Sequence, residues 1–582
     1  MDEHLIARGL KGLFDRRGQF IVLGLTGRTG SGCTTSAGLL SKSFSDLRLE
    51  PIASPLSTPD QRKHRVIVEF AEKNWHPFID ISVTLVIVTF VLEANLDDLQ
   101  TYLRSFVRER DLPPLMTEFG RLSSLWTPVR SVVMPGPKKI STETEQYIDF
   151  ASRELSNFLG VLKKALGTNY ATAFQFFGDN LRASGSALDS TFNPDAFFTL
   201  PTRVGELVVA LRELQLSKGV PARIVIDALR NPFEIEYYRQ RFASFLLLAL
   251  TTPDEDRRSR LSIRVNLSAS EIKKLDGKEY PTQNKPLSGV PQFISQNIQA
   301  CLEKADVFVK NPGAAKEGSI ADLKEITKKL VTFVCLVQHP GLVTPTKVER
   351  CMQIAYSARA NSGCISRQVG AAITDGSYSV KAVGWNDVPA GQVPCLFRNV
   401  EDLLANNDEE AFSDYELNDE RFRSHMEGRY KRFDLVSDSG RSSAFCFKSE
   451  YNSLEFPRMK GNQVHTRALH AEENAFLQLS KYGGGGIEGG ILFSTASPCE
   501  LCSKKAYQLG IKKIYFIDPY PGISLSHILS SGPADKRPTL ELFSGAIGQA
   551  FHRLYDPLLP YKDEVDVFLR PGEQAFATPK SS

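Results

Sequence analysis

Two short stretches near the C-terminal end constrain the chain more than any other feature: His470-Ala471-Glu472 and Pro498-Cys499-Glu500-Leu501-Cys502. One imidazole and two thiolates suit a catalytic zinc site whose fourth position stays open to water. A closed structural site needs a further Cys or His. His465 is at hand, but recruiting it leaves Glu472 without a role. A carboxylate two residues from a ligand is placed to move protons. The apolar run Ile491-Leu492-Phe493-Ser494-Thr495 reads as a strand leading into Pro498. Cys499 and Cys502 read as the start of a helix, whose positive end favours thiolates, as does a metal.

A second constellation lies at the other end of the chain. Phe20–Thr26 reads as a strand, Gly27-Arg28-Thr29-Gly30-Ser31-Gly32-Cys33-Thr34-Thr35 as a glycine-rich loop, and a helical stretch follows from Ser36. Small residues let backbone N–H groups converge on a phosphate at a helix N-terminus. The spacing matches a P-loop except that Cys33 stands where the lysine should. Thr34 would offer its hydroxyl to Mg2+, so ATP or another nucleotide with Mg2+ is the expected ligand of Gly27 to Thr35. The lysine normally neutralises charge during phosphoryl transfer. Cys33 cannot do so, and Arg28 is the candidate substitute. Nucleotide binding is therefore expected more than phosphoryl transfer.

At 582 residues the chain is too long for one core. Arg223–Asp227 reads as an apolar strand ending in an acid, with further strands at Phe245–Thr252 and Ala305–Asn311. Asp254–Leu261 reads as a charged helix, either an arginine-bearing lid or a solvated face. The run Ile81–Leu92 is too short to span a bilayer and reads as a buried strand. Helices are expected over Asp97–Arg110, Thr142–Leu166 and Asp322–Val337. The breaker His339-Pro340-Gly341 marks a boundary between a domain at 1–340 and one at 341–582. The fold class is α/β, with a mostly parallel N-terminal sheet covered by helices on both faces. In the second domain a helix, Lys347–Ala360, precedes a hairpin turning at Asp375-Gly376. The charged stretch Leu396–Arg432 reads as a partly mobile insertion beside the site. A net charge of +3 gives no electrostatic case for nucleic-acid binding over the whole chain. An odd cysteine count of 9, and a start Met1-Asp2-Glu3-His4 without a leader pattern, point to reduced thiols and the cytoplasm.

His-x-Glu with Pro-Cys-x-x-Cys is the zinc deaminase signature. The second domain resembles the deoxycytidylate deaminases in Ser362-Gly363-Cys364, Val369-Gly370-Ala371, Gly384-Trp385-Asn386-Asp387-Val388-Pro389, His470–Ala475 and Pro498–Cys502. The resemblance implies a three-layer α/β/α fold with zinc held at two helix N-termini by His470, Cys499 and Cys502. It implies Glu472 as proton carrier, Asn386 near the sugar and base, and Arg367 near the phosphates. Related deaminases sometimes carry a second, structural zinc, for which Cys364, Cys395, Cys446 and His465 are candidates. The whole architecture, a P-loop kinase-like doubly wound half joined to this unit, resembles the bacterial anti-phage dCTP/dCMP deaminases. That implies free deoxycytidine nucleotides as substrates and their depletion during infection by a protein held inactive until then. A homo-oligomer, an inhibitory or activating partner and no membrane association are further expectations. Three other readings compete, and one of them, a bifunctional kinase-deaminase, is opposed by Cys33. A nucleic-acid deaminase shares the zinc motif but would want a basic, aromatic surface, which a salt-titrated gel shift would reveal. A nucleotide sensor with a vestigial deaminase is hard to reconcile with intact His470, Glu472, Cys499 and Cys502.

Overall fold

The first sheet is built around strand β1, Phe20–Thr26, whose residues beyond Phe20 are buried. The structure is a computed structural model, and it describes residues 5–136, 141–264, 267–279, 289–312, 320–456, 465–483, 486–518 and 523–569. The start Met1–His4, read above for a leader, lies outside them. The chain forms two units, Met1–Thr344 with Gln549–Ser582, and Pro345–Gly548.

In the first unit, β1 runs through the glycine loop into helix α1, Cys33–Leu40. Then come β2 (Ile79–Ser82), α2 (Val83–Val91), β3 (Ala222–Asp227), β4 (Phe245–Thr251), α3 (Asp254–Arg264), α4 (Ala269–Glu279), β5 (Val307–Lys310) and α5 (Ile320–Gln338). The strands lie parallel in the order β2-β3-β1-β4-β5. The glycine loop thus leaves the carboxyl end of a central strand, where open α/β sheets bind ligands. The expected strand over Ile81–Leu92 is corrected: only Ile79–Ser82 is strand, and Val83–Val91 is a helix. Val83, Val86, Ile87, Val88, Phe90 and Val91 are all buried, so this helix needs no polar face to give its period away.

The boundary also differs from the expectation. The domain expected at 341–582 ends early, because Gln549 onward belongs to the first unit. His339 and Gly341, read as a linker, receive this returning segment. His339 Nε2 lies 2.8 Å from Glu564 Oε1, and the Gly341 N–H donates to the Leu554 carbonyl at 3.0 Å. The Phe14 ring stacks on His339 at 4.2 Å.

The second unit opens with α6, Lys347–Ala358, capped by Thr346 and Glu349 in a reciprocal capping box. Its sheet runs β10-β9-β8-β6-β7, from β6 (Gly370–Thr374), β7 (Val380–Trp385), β8 (Ile491–Ala496), β9 (Lys513–Asp518) and β10 (Thr539–Leu542). β6 pairs antiparallel with β7 and β8, whereas β9 lies parallel to both its neighbours. Helices α7 (Ala471–Tyr482) and α8 (Glu500–Gln508) carry the two ligand motifs. A Cβ on Gly370 would meet the Ala355 carbonyl of α6, while Ala371 packs with Ala471 and Ala475 of α7. Alternate residues of one strand therefore face helices on opposite sides, which makes three layers.

Gly384 is where α7 presses closest to the sheet. A Cβ there would stand 2.3 Å from the Ala471 oxygen and 2.5 Å from the Ala475 nitrogen, both backbone atoms. Gly384→Ala is expected to cost about 1–3 kcal/mol by overpacking. Because it displaces the turn that carries His470, it should also weaken metal retention, read by competition with a chelator.

The insertion Leu396–Arg432, expected from its charge as partly mobile, carries regular structure and a core of its own. Helices Val400–Ala405, Asp414–Asn418 and Glu420–Arg429 enclose a core of Val400, Leu403, Phe412, Phe422, Met426 and Phe445. Arg398 is wholly buried there, paired with Glu416 and lying 4.9 Å from the ring centroids of both Phe412 and Phe445.

Candidate active site

His470 is the N-cap of α7 and Cys499 the N-cap of α8, with Cys502 in the first turn of α8. The Leu469 N–H donates to the Asp387 carbonyl at 2.8 Å, which fixes the backbone entering His470. His470 Nδ1 lies 3.3 Å from Cys499 Sγ and 3.5 Å from Cys502 Sγ. Tetrahedral zinc, with bonds of about 2.3 Å to sulfur and 2.0–2.1 Å to nitrogen, separates those ligand atoms by about 3.6 Å. The three residues therefore fit the ion. The bond with Cys502 holds the Cys499 thiol down to about 4, aided by His470, and the same bond with burial pushes Cys502 up. Contact with Cys499 raises the His470 imidazole.

Glu472 is buried in the first turn of α7, and the Ser494 hydroxyl donates to its Oε1 at 2.8 Å. Burial pushes its carboxyl above the ordinary range. Ser494 was not among the expected site residues. Its signal was a hydroxyl inside the apolar run Ile491–Thr495, and a fully buried hydroxyl needs a partner.

Asn386 is buried, with both ends of its amide engaged. Oδ1 accepts from the Val369 N–H at 2.6 Å and Nδ2 donates to the Arg367 carbonyl at 2.8 Å. It thereby shapes the segment 367–369, and each end of the amide keeps one further hydrogen-bonding site. Arg367 pairs at 2.6 Å with Asp518, which is 1 % exposed. Asp518, another residue the sequence did not single out, sets the direction of that guanidinium.

The second zinc set is not assembled. Cys364, Cys395 and Cys446 line one cavity, but His465 packs its ring on Tyr451 at 4.6 Å. Among the described residues, His470, Cys499 and Cys502 are the group of metal-ligating side chains whose ligand atoms all lie within 4.8 Å of one another.

In the first unit, Gly30 and Gly32 adopt φ of 88° and 105°, which glycine alone accepts readily. Ser31 and Cys33 are buried beside them, and burial raises the Cys33 thiol to about 12. Thr34 and Thr35 are exposed on the first turn of α1, and the Thr34 hydroxyl bonds the Asp227 carboxylate. Arg28 does not substitute for the lysine. Its guanidinium is held by Asp254 at 2.8 Å and Asp276 at 2.7 Å. Arg230 is the cation beside Cys33 and Asp227. Among the described residues, no helix is long and apolar enough to cross a membrane.

One imidazole and two thiolates on paired helix N-termini, with a buried carboxylate beside them, are the parts of a metal-assisted nucleobase deaminase. Residues 345–518 match the model of the cytidine and deoxycytidylate deaminase zinc-binding region. The deoxycytidylate deaminase of Enterobacteria phage T2 is 30% identical over 175 residues, which are 30% of this chain and 81% of that one. That of phage T4 is likewise 30% identical over 175 residues, 30% of this chain and 79% of its own. The crystal structure of dCMP deaminase from the cyanophage S-TIM5 in apo form covers 34% of this chain and 100% of its own, at 21% identity and a TM-score of 0.20. Through its second unit, the chain belongs to the deoxycytidylate deaminase family.

Proposed function

We propose that the chain is a zinc-dependent hydrolase that removes the 4-amino group of free deoxycytidine nucleotides, turning dCMP into dUMP and dCTP into dUTP. The observation that carries this reading is Glu472, buried and held by Ser494 next to the ligand set of His470, Cys499 and Cys502. His470 Nδ1 and the two Sγ atoms would hold the zinc. When bound, zinc supplies a Lewis acid that makes hydroxide available near neutral pH. Glu472 takes a proton from the attacking water and delivers it to ring N3 as the oxygen bonds to C4. It then carries the remaining hydroxyl proton to the amine, which leaves as ammonia while C4 becomes a carbonyl. Ser494 occupies one oxygen of Glu472, so the other is the one that moves protons. Arg367, aimed by Asp518, would meet the phosphates, and Asn386 the sugar and base.

The glycine-loop unit, in this reading, holds a nucleotide with Mg2+ at Gly27 to Thr35 and regulates the deaminase without transferring phosphate, since Cys33 is a buried neutral thiol. The union of such a unit with a deaminase supports a regulated enzyme, a cytoplasmic homo-oligomer that depletes deoxycytidine nucleotides during phage infection. The test is incubation of the purified chain with dCMP, dCDP, dCTP and CTP, with products separated by chromatography. Conversion of dCMP or dCTP is expected, with about one zinc per chain, loss on chelation and recovery with added zinc. Release of ammonia from cytosines in DNA or RNA but from none of the free nucleotides would overturn the reading.

A further inference from the structure

The glycine loop already holds an anion, and that anion belongs to the chain itself. Glu279, the last residue of α4, is 0 % exposed. Both of its carboxylate oxygens lie 3.1 Å from the Thr29 backbone nitrogen, whose N–H donates to them. The Thr29 hydroxyl donates to Oε1 as well, and Arg230 Nη1 pairs with the same oxygen at 2.5 Å. A glycine-loop N–H, a loop hydroxyl and a partly buried guanidinium converging on two oxygens is the chemistry of phosphate recognition.

Helices α3 and α4 hold this arrangement shut largely with charge. A Cβ on Gly30 would stand 3.1 Å from Leu261 Cγ and 3.3 Å from Arg257 Cγ, so α3 rests directly on the loop. Buried Arg257 donates to the Thr29 carbonyl at 3.2 Å and pairs with Asp276 of α4 at 2.7 Å. Arg28 of the loop pairs with Asp254 of α3 and Asp276 of α4. The apolar part of the closure is small, with Leu261, Ile272 and Leu275 as its buried members. Ion pairs of this kind yield to a competing polyanion more readily than an apolar seal does, because the phosphate replaces one set of charge-assisted bonds with another.

We infer that Glu279 is an internal plug in the phosphate loop, that Arg230 stands in for the missing lysine, and that a nucleoside polyphosphate binds by displacing the Glu279 carboxylate from both. This rests on the reading of Gly27–Thr35 as a phosphate loop. It makes the plugged arrangement the resting state, and a ligand that binds only the unplugged one shifts the balance between them. It also accounts for Cys33. A lysine there would place a second cation against Arg230, whereas a neutral thiol leaves Arg230 to serve plug and phosphate in turn.

The test uses the full chain, with ATP and magnesium as the probe, by titration calorimetry. Glu279→Gln keeps the size of the plug and removes its charge, and is expected to bind ATP about tenfold more tightly than the wild type. Arg230→Met is expected to bind about tenfold more weakly. Hydrogen exchange on the wild type needs no variant to fold: saturating ATP should raise exchange along Ala269–Glu279. If ATP binds the wild type and Glu279→Gln equally, or exchange in that helix is unchanged or falls, the plug is wrong while the loop still binds nucleotide. If neither ATP nor dATP gives heat or altered exchange in any of the three proteins, the phosphate-loop reading falls and the plug with it.

Discussion

Glu472→Ala is expected to keep its zinc and lose deamination, by on the order of 10²–10⁴-fold. In the proposed site the metal would be held by His470, Cys499 and Cys502, and Glu472 is not part of that set, so removal of the carboxylate leaves the ligand set in place. What disappears is the group that moves protons between water, N3 and the leaving amine. Metal analysis and turnover measured on one preparation separate the two effects. Ser494→Ala should show a milder loss, because Ser494 orients Glu472 and carries no proton to the base. Normal turnover in Glu472→Ala would remove the mechanism, whatever the zinc content.

The second large effect is expected in the insertion. Glu416 is the hub of that miniature core. Its Oε1 pairs with Arg398, and its Oε2 accepts from the Ser413 N–H at 3.0 Å and the Ser413 hydroxyl at 2.9 Å. Both side chains of the ion pair are 0 % exposed. Glu416→Ala leaves a guanidinium buried without its counter-charge, which costs about 3–5 kcal/mol. A core this small should not survive that loss, so limited proteolysis is expected to cut the variant between 396 and 445 while the wild type resists. Replacing both partners, as Arg398→Met with Glu416→Leu, should restore part of that resistance, because it removes the stranded guanidinium of Arg398 but does not replace the bonds Glu416 gave to Ser413 or its pairing with Arg467 at 3.9 Å. Arg467 donates to the Ala411 carbonyl at 3.3 Å, and with Cys395 and Cys446 it lines the cavity of the deaminase unit. Unfolding the insertion should therefore lower turnover as well.

The grouping of His470, Cys499 and Cys502 was legible in the sequence because it is set locally. A His-x-Glu and a Pro-Cys-x-x-Cys each place their groups on one helix N-terminus, and helix capping does the positioning. The strand β1, its glycine loop and α1 were legible for the same reason. Val83–Val91 was not, because an unbroken apolar run has no period, and its β-branched residues favour a strand until burial on many sides makes a helix possible. The insertion misled through composition: its charges outnumber the apolar residues Val400, Leu403, Phe422 and Met426, whose three- and four-residue spacings were the better guide. Asp518 and Glu279 could not be read at all. Their partners Arg367 and Thr29 lie far off in sequence, and a buried carboxylate bonded to a distant residue leaves no mark on local pattern.

The return of Gln549 onward to the first unit sets the order in which a nascent chain can mature. The ribosome must deliver the whole deaminase unit before the first unit can close, and at 5–20 residues per second the intervening segment of roughly 200 residues takes on the order of 10–40 s. During that interval His339 and Gly341 await Glu564 and Leu554, which have not yet been synthesised. The catalytic half can thus be finished before its neighbour is. A message truncated just past codon 548 would yield a complete second unit attached to an unfinished first one, and on the reading proposed above that is an enzyme with its chemistry in place and its control missing.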